Sequence, residues 1–267
     1  MTAAGWDARI RRAEELSGKF EFAREFLHFY AEIARFQRDF YNDLTAKRAA
    51  QAANAALRSP LDCSLLLPKF PEFLVVVEKK APAPLATFAR ELREAEEGEW
   101  EGLLAAYWDK GGRFEPVLAE TATFCARAFL QPYAELLARA PLLPSALTRA
   151  ACPRCEAMPQ LGVLRPEGDG ARRSLLCSFC STEWDYRRIV CPSCGEEDEK
   201  KLGFYAAQEF DYIRIEACDS CKTCIETVDL TKNGHAVPMV DELAAIPLSL
   251  WASQQGFRKL QPNLLGT

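Results

Sequence analysis

Hydrophobic residues recur every three or four positions between positions 22 and 44, and most positions between them are polar or charged. The hydrophobic set is Phe22, Phe26, Phe29, Tyr30, Ile33, Phe36, Phe40, Tyr41 and Leu44. A stripe with this spacing is typical of one face of an α-helix. The pattern therefore predicts one long amphipathic helix whose hydrophobic face packs against a core.

Prolines and glycines divide the following residues into shorter segments. A short apolar segment covers 70–77, a third candidate helix covers 85–97, and another segment covers 100–108 before a Gly-Gly pair. A last long helix carries hydrophobic residues on one face from 117 to 137 and ends near Pro141. These segments predict a helical amino-terminal domain over residues 1–145.

Beyond a proline-containing junction at 141–151, the pattern changes to short β-like runs, turns and cysteine pairs. Cys152-Pro-Arg-Cys155 is followed by Leu161-Gly162, and Cys191-Pro-Ser-Cys194 is followed by Leu202-Gly203. A further Cys-x-x-Cys pair begins 16 positions after each of these leucines. A tandem repeat of this kind predicts two copies of one small folding unit.

The repeat and its surroundings suggest four parts. They are a helical domain at 1–145, a first metal-binding module at 146–189, a second at 190–237, and a helical tail at 238–267 in which Pro247 predicts a kink. The expected fold class is a helical domain followed by two tandem rubredoxin-like or zinc-ribbon β modules.

The cysteine content is the unusual part of the composition. Eleven cysteines in 267 residues would give roughly 0.5 Cys-x-x-Cys pairs by chance, but the chain has five, all between positions 152 and 224. Two such turns facing each other place four sulfurs around one tetrahedral cation. The pairs therefore predict metal sites.

Each copy of the repeat supplies the cysteines for one site. The expected ligands are Cys152, Cys155, Cys177 and Cys180 in the first site, and Cys191, Cys194, Cys218 and Cys221 in the second. An interleaved cross-brace is the alternative, although the tandem repeat favours sequential pairing. Disulfides are disfavoured by the odd cysteine total, the regular pairing and the lack of a recognisable export signal. Zinc and iron both accept four thiolates, so these residues leave the metal open.

Four other features are weaker signals. Cys224 follows the last pair and is expected to be a buried neighbour of the site, with a reactive thiol or a substitute ligand as the alternative. Cys125 is expected to lie in the helical core. Trp184 and Tyr186 could cover the sulfurs of the first site or serve as ordinary hydrophobic cover. Glu156 follows the first cysteine pair, where the backbone often needs the positive φ that Gly195 adopts easily.

Charge restricts the function further. The chain has 33 basic and 38 acidic residues, a net charge of −5, and residues 150–235 are acidic even before the thiolates are counted. This balance disfavours a zinc-ribbon protein that binds nucleic acid. No run of about 20 apolar residues predicts a membrane span, and no hydrolase or nucleotide-binding motif stands out.

Several longer motifs resemble one family. They are Cys152-Pro-x-Cys155 with Pro159 and Gly162-Val163, Leu176-Cys-Ser-Phe-Cys-Ser-Thr-Glu-Trp184, Glu216-Ala-Cys-Asp-Ser-Cys221, and Asp241-Glu-Leu-Ala with Gly256-Phe257 in the tail. With these motifs the sequence resembles the FdhE family of formate dehydrogenase accessory proteins over nearly its whole length.

The resemblance implies a helical domain followed by two rubredoxin-like modules that hold two iron ions, with zinc as a substitute. It implies a cytoplasmic, non-catalytic protein that binds the catalytic subunit of a formate dehydrogenase and is needed for its activity. We expect the modules to make this contact, with Arg187 and Arg188 beside the Trp184 and Tyr186 rings. A rubredoxin-like electron-transfer or thiol-redox protein is the alternative function, and a nucleic-acid-binding zinc ribbon a weaker one.

Overall fold

The amino-terminal half is helical. The structure is a computed structural model, and it describes residues 3–49, 60–110, 120–139 and 149–267. The helices in the first three ranges are α1 (Ala3–Lys19), α2 (Arg24–Ala49), α3 (Cys63–Leu66), α4 (Phe70–Lys80), α5 (Ala83–Glu94), α6 (Glu97–Asp109) and α7 (Glu120–Leu137).

These helices agree with the hydrophobic pattern in type and differ at their ends. The long predicted helix is α2, and the segment predicted from 70 is α4, which continues to Lys80. The helix predicted over 85–97 begins earlier, because Pro84 is favourable in a first helical turn, and it ends at Glu94. The Gly111-Gly112 break, the start of the last helix at Val117 and the junction at 141–148 lie outside the described residues.

Aromatic side chains fill the centre of the helical region. The Phe129 ring on α7 lies 4.9 Å from the Phe40 ring on α2 and 4.8 Å from the Phe70 ring on α4. Phe36 and Phe73 complete the group. Burial of such large rings is the main favourable term in packing the helices together.

The carboxyl-terminal half contains one twisted sheet. Its strands are β1 (Pro159–Glu167), β2 (Gly170–Cys177), β3 (Glu183–Asp185), β4 (Leu202–Ala206), β5 (Ile213–Cys218), β6 (Thr223–Asp229) and β7 (Arg258–Lys259). The order across the described sheet is β3-β2-β1-β6-β5-β4, and β7 pairs with β6. Each copy of the sequence repeat forms three consecutive antiparallel strands.

The two copies are joined edge to edge. β1 of the first copy pairs in parallel with β6 of the second, with Gly162 opposite Thr227. A Cβ atom at position 162 would overlap the Thr227 hydroxyl, so this close approach requires glycine. The helical region followed by cysteine-rich modules matches the expected fold class, and the two modules share one sheet.

The tail packs back on both halves. It forms α8 (Pro238–Ala244) and α9 (Ile246–Gln254), which meet at Ala245, so the kink predicted at Pro247 is the start of a separate helix. Asp241 on α8 accepts hydrogen bonds from Arg12 on α1 and from the Tyr212 hydroxyl. In the described ranges, no helix is both long and apolar enough to cross a membrane.

Candidate metal centres

The first group of sulfurs lies between the first module and the helices. The Sγ atoms of Cys152, Cys155, Cys177 and Cys180 all lie within 4.8 Å of one another. The distance from Cys155 Sγ to Cys177 Sγ is 3.4 Å, and that from Cys152 Sγ to Cys180 Sγ is 3.6 Å. All four residues are buried. We call this group the first cluster.

The second group has the same arrangement in the second module. Its sulfurs belong to Cys191, Cys194, Cys218 and Cys221 and also lie within 4.8 Å of one another. Cys191 and Cys221 Sγ atoms are 3.7 Å apart, as are those of Cys194 and Cys218. In this second cluster Cys194 is exposed and Cys221 is partly exposed. The grouping in both clusters is therefore sequential and follows the repeat.

Local backbone geometry turns each pair of sulfurs to one side. In three of the four pairs, the carbonyl of the first cysteine accepts a hydrogen bond from the N–H four residues later: Glu156 to Cys152 at 3.0 Å, Gly195 to Cys191 at 3.0 Å and Lys222 to Cys218 at 2.8 Å. The N–H two residues after the cysteine points at its sulfur, as Phe179 N does toward Cys177 Sγ at 3.4 Å. The same short-range bonds recur because they depend only on the spacing within the pair.

The residue after each pair adopts a left-handed backbone. The four residues in this position, with their φ angles, are Glu156 at 62°, Ser181 at 52°, Gly195 at 78° and Lys222 at 54°. Three of the four carry a side chain in a conformation that favours glycine. The backbone strain expected at Glu156 is therefore present, and contacts with the surrounding structure hold the turns in this conformation.

The thiols share their protons within each cluster. Hydrogen bonds donated by Cys155, Cys177 and Cys180 lower the pKa of Cys152 well below its usual value. Burial, and hydrogen bonds in which Cys177 keeps its proton beside the other three sulfurs, raise the pKa of Cys177. For Cys221, burial opposes ionisation, but hydrogen bonds from Thr223 and neighbouring thiols outweigh it and lower the pKa to about 6. Each cluster thus favours an ionised sulfur that a cation would stabilise.

The sulfur spacing fits a tetrahedral ion. A Zn–S bond of about 2.3 Å implies sulfurs roughly 3.8 Å apart, close to the distances of 3.4 Å to 3.7 Å within the clusters. A disulfide needs about 2.05 Å, and all eleven cysteines of the chain, which lie in the described ranges, are free. Two four-cysteine clusters that could each hold a metal ion are therefore present. Ligation by these eight residues stays a prediction.

Helices hold the second turn of the first cluster. Arg127 on α7 donates hydrogen bonds to the Ser178 carbonyl, the nearer at 2.9 Å. The Phe179 ring lies edge-on to Tyr107 and Trp108 of α6, at 5.4 Å and 5.8 Å. The turn between Cys177 and Cys180 is therefore built into the helical core.

A buried ion pair extends this support to the end of the turn. Arg9 on α1 lies 2.9 Å from Glu135 on α7, and both side chains are almost fully buried. Ser181, the left-handed residue after the turn, donates a hydrogen bond to Glu135 at 2.6 Å and accepts one from Arg9 at 3.1 Å. These contacts span α1, α7 and the first module, so they fix the turn from two sides.

The turns of the second cluster have polar, solvent-exposed support. The Ser220 hydroxyl donates a hydrogen bond to Glu196, and Lys201 lies 3.2 Å from the same carboxylate. These bonds, with a backbone bond from Asp198, lower the pKa of Glu196 to about 2. The exposed pair Lys222 and Asp219 holds the last turn. Exposed pairs contribute little to stability.

Several predicted neighbours can now be placed. Cys125 is fully buried in the helical core, as expected. Cys224 is buried and outside the second cluster, and burial raises its thiol pKa to about 11. Trp184 and Tyr186 are buried in the core that contains the first cluster, so they serve as cover. Arg187 and Arg188 beside these rings are exposed, and Arg187 is engaged by Glu197. Contact of the modules with a partner stays a prediction.

Sequence reasoning missed the residues that support the first cluster. Arg9, Arg127 and Glu135 are buried charges on helices, and each acts across more than 40 positions of sequence. Their one sequence signal is a charge on an otherwise apolar helix face, as with Arg127 on α7 between Ala126 and Ala128. That signal indicates a buried polar contact without identifying the partner.

Comparison with known proteins gives one consistent family. Residues 151–188 match the family model described as "FdhE, central domain", and residues 189–265 match "FdhE, C-terminal domain". A "Protein FdhE homolog" of Aquifex aeolicus is 26% identical over 271 residues, which cover 96% of this chain and 94% of that protein. One from Pseudomonas aeruginosa is 31% identical over 196 residues, or 69% of this chain and 62% of that protein.

A solved structure shares the fold. The crystal structure of the FdhE protein from Pseudomonas aeruginosa aligns with a TM-score of 0.73 at 24% sequence identity. The alignment covers 100% of this chain and 97% of that one. The arrangement of helical region and cysteine-rich sheet therefore recurs in a protein of different sequence.

Proposed function

Because this chain belongs to the FdhE family, we propose that it is a non-catalytic accessory protein that helps a formate dehydrogenase to mature. We propose that it acts in the cytoplasm and binds the catalytic subunit of that enzyme. The observation that carries the proposal is the pair of four-sulfur clusters, in a chain similar to an FdhE homolog over 96% of its length.

Each cluster would hold one metal ion through its four cysteines, and iron is the proposed ion, with zinc as a substitute. An iron ion with four thiolates supplies a one-electron redox centre, whereas zinc supplies structure alone. The residues of this chain hold the sulfurs in place and exclude water from the first cluster. The boundaries at 145, 189 and 237 are proposed domain limits.

Metal content tests the ligand set. Protein purified without added metal should contain two ions per chain, and a visible absorption spectrum separates iron from colourless zinc. Substitution of Cys152 and Cys155 by serine should remove one ion. One ion or none in intact, unoxidised wild-type protein would overturn the proposal of two sites.

A test in the native host addresses the function. Deletion of the gene should abolish formate-dependent activity, and a tagged copy should restore it and retain the catalytic subunit during purification. The Cys191→Ser and Cys194→Ser double variant should fail to restore activity although it accumulates. Unchanged activity after deletion, with no subunit retained, would contradict the accessory role.

A stand-alone electron-transfer role is the second candidate. The observation that favours it is the exposure of Cys194, which brings the second cluster to the surface where an electron donor could approach. Two results together would favour this candidate instead. The visible absorption of the iron-loaded protein would change reversibly on reduction, and formate dehydrogenase activity in the host would not depend on the gene.

A further inference from the structure

The outer edge of β4 is open. β4 is the last strand in the sheet order, and no strand among the described residues pairs with its free side. Its sequence is Leu-Gly-Phe-Tyr-Ala, without a charge or a proline inside the strand. Edge strands are normally protected by such residues, since an unpaired row of N–H and C=O groups accepts a further strand.

The opposite edge of the same sheet is protected. β3 has three residues, and two of them are the acids Glu183 and Asp185. Glu183 receives two hydrogen bonds from Arg165, and Asp185 lies 3.2 Å from Arg172. The two edges of one sheet therefore differ, and β4 is the edge left available for pairing.

The backbone register identifies the outward groups. The backbone N–H of Asp219 donates to the carbonyl of Lys201, so Lys201 and Asp219 form the first hydrogen-bonded pair, just before β4 and just after β5. Bonded pairs recur every two residues, at Gly203 with Ala217 and at Tyr205 with Ile215. The N–H and C=O of Phe204 between them therefore point to the open edge.

Exposed hydrophobic side chains surround this edge. Phe204 is 51% exposed and Tyr205 is 37% exposed, and on α9 Leu250 is 58% exposed. The Tyr205 ring contacts the Trp251 ring at 4.8 Å, so these two rings form one aromatic surface on the face of the sheet that α9 covers, while Phe204 points to the opposite face. Three of the six large hydrophobic residues exposed in the described ranges lie on these two elements, which indicates a binding surface.

Charge selects the partner. Residues 196–201, which lead into β4, contain four acids and two lysines. Glu209 and Asp211 follow the strand, with Lys232 beside the Asp211 carbonyl, so both ends of the edge carry net negative charge. A second copy of this chain paired antiparallel on β4 would bring two net-negative edges together, so its charge opposes self-association. A segment with Lys or Arg at its ends and apolar residues in its middle complements both features.

We propose that the open edge of β4 binds an extended, basic segment of a partner protein, which adds a strand to the sheet. Main-chain bonds at Phe204 would give affinity, and the aromatic surface would receive alternate side chains of the segment. Leu202 pairs with Cys218, so the added strand would lie beside the second cluster. The inference rests on the proposed function, because it gives the mode by which a client is recognised.

A designed peptide tests the edge directly. The probe is Lys-Arg-Val-Phe-Val-Phe-Val-Arg-Lys, and its control carries Glu at the four charged positions. Fluorescence anisotropy with the metal-loaded full chain should give at least tenfold weaker binding of the acidic peptide. Equal binding of both peptides would overturn the charge argument.

Variants of Phe204 separate the backbone from the side chain. Phe204→Pro removes the outward N–H without removing a β4–β5 bond, whereas Phe204→Ala removes only the ring. The proline variant should bind the basic peptide at least fivefold more weakly than the alanine variant. Circular dichroism and metal content show whether each variant is folded. Equal affinities of two folded variants would exclude strand addition.

Charge reversal provides a test that leaves the strand intact. Glu209→Lys with Asp211→Lys should weaken basic-peptide binding at least tenfold and improve binding of the acidic peptide. The matched control is Glu91→Lys with Glu94→Lys on α5, which makes the same change in net charge on another exposed surface. An equal effect of the control pair would show that net charge alone drives binding.

Purification from the native host distinguishes this inference from the proposed function. The Glu209→Lys and Asp211→Lys variant should lose the formate dehydrogenase subunit that wild type and the α5 control retain. Retention by all three would overturn the edge site and leave the function intact, whereas retention by none would overturn the function. A wild-type dimer that Phe204→Pro dissociates would show that a second copy occupies the edge.

Discussion

The two clusters have the same set of four cysteines and the same turns, but different surroundings. The first cluster is buried and belongs to the core formed with the helices. The second lies outside that core, with Cys194 at the surface. Residues at equivalent positions show the contrast. Ser181 bonds to the buried pair of Arg9 and Glu135, whereas Lys222 forms an exposed pair with Asp219.

This contrast distinguishes the geometry of the cysteine turns from the environment in which each cluster lies. Turn geometry depends on short-range bonds and is repeated, while burial depends on which surface each module presents to the rest of the chain. A metal ion in the first cluster would link the module to α1, α6 and α7. One in the second would support a module whose surface stays accessible. The first cluster is therefore expected to be the more important for stability.

Removal of cysteines should reveal the largest difference. Cys152→Ser with Cys155→Ser should destabilise the chain by about 5 kcal/mol, a fall of roughly 15 °C in Tm, because metal binding and folding are coupled in such sites. Cys191→Ser with Cys194→Ser should lower Tm by less than half as much. Each variant should keep the other ion. Calorimetry and elemental analysis measure both quantities, and equal falls in Tm would remove the distinction.

Breaking the buried ion pair should have the next largest effect. Arg9→Met leaves Glu135 buried without its cation, which costs about 3 kcal/mol or more. Lys222→Met breaks the exposed pair with Asp219 at the equivalent turn and should cost less than about 1 kcal/mol. Urea denaturation compares the two variants. If both lose the same stability, the helical support of the first cluster is not important.

Chelator should remove the two ions at different rates. The second cluster is partly exposed, so we expect its ion to leave about tenfold faster, equivalent to about 1.4 kcal/mol in the barrier. Stopped-flow absorbance with a colorimetric chelator should show two phases of equal amplitude. Cys191→Ser with Cys194→Ser should retain only the slow phase. A single phase in wild type would indicate equal access.

Backbone strain gives the smallest effect. Glu156→Gly should raise stability by about 1 kcal/mol, because glycine adopts positive φ without the cost to a side chain. The exposed ion pair of Glu156 with Arg149 offsets little of that gain. Gly195→Ala, at the equivalent position of the second repeat, should lower stability by a similar amount. Thermal unfolding of both variants checks the opposite signs.

Much of the fold follows from local patterns. The stripe of hydrophobic residues predicted α2, because side chains three and four positions apart lie on one helix face. Helix ends were predicted less well, as at 85–97, because fraying and proline placement move a boundary by a few residues without changing the core. The repeat predicted two similar modules, but it contained no signal for the parallel pairing of β1 with β6.

The sequence by itself determined the turns within each Cys-x-x-Cys pair, and its repeat favoured the sequential grouping of the eight sulfurs, because both are set by spacing along the chain. Only the tertiary structure decided between this grouping and an interleaved one, and only it decided that the first cluster is buried and the second partly exposed. That difference depends on Arg9, Arg127 and Glu135, which reach the first module from distant helices. Contacts over such separations result from packing, and one sequence carries no pattern that pairs them.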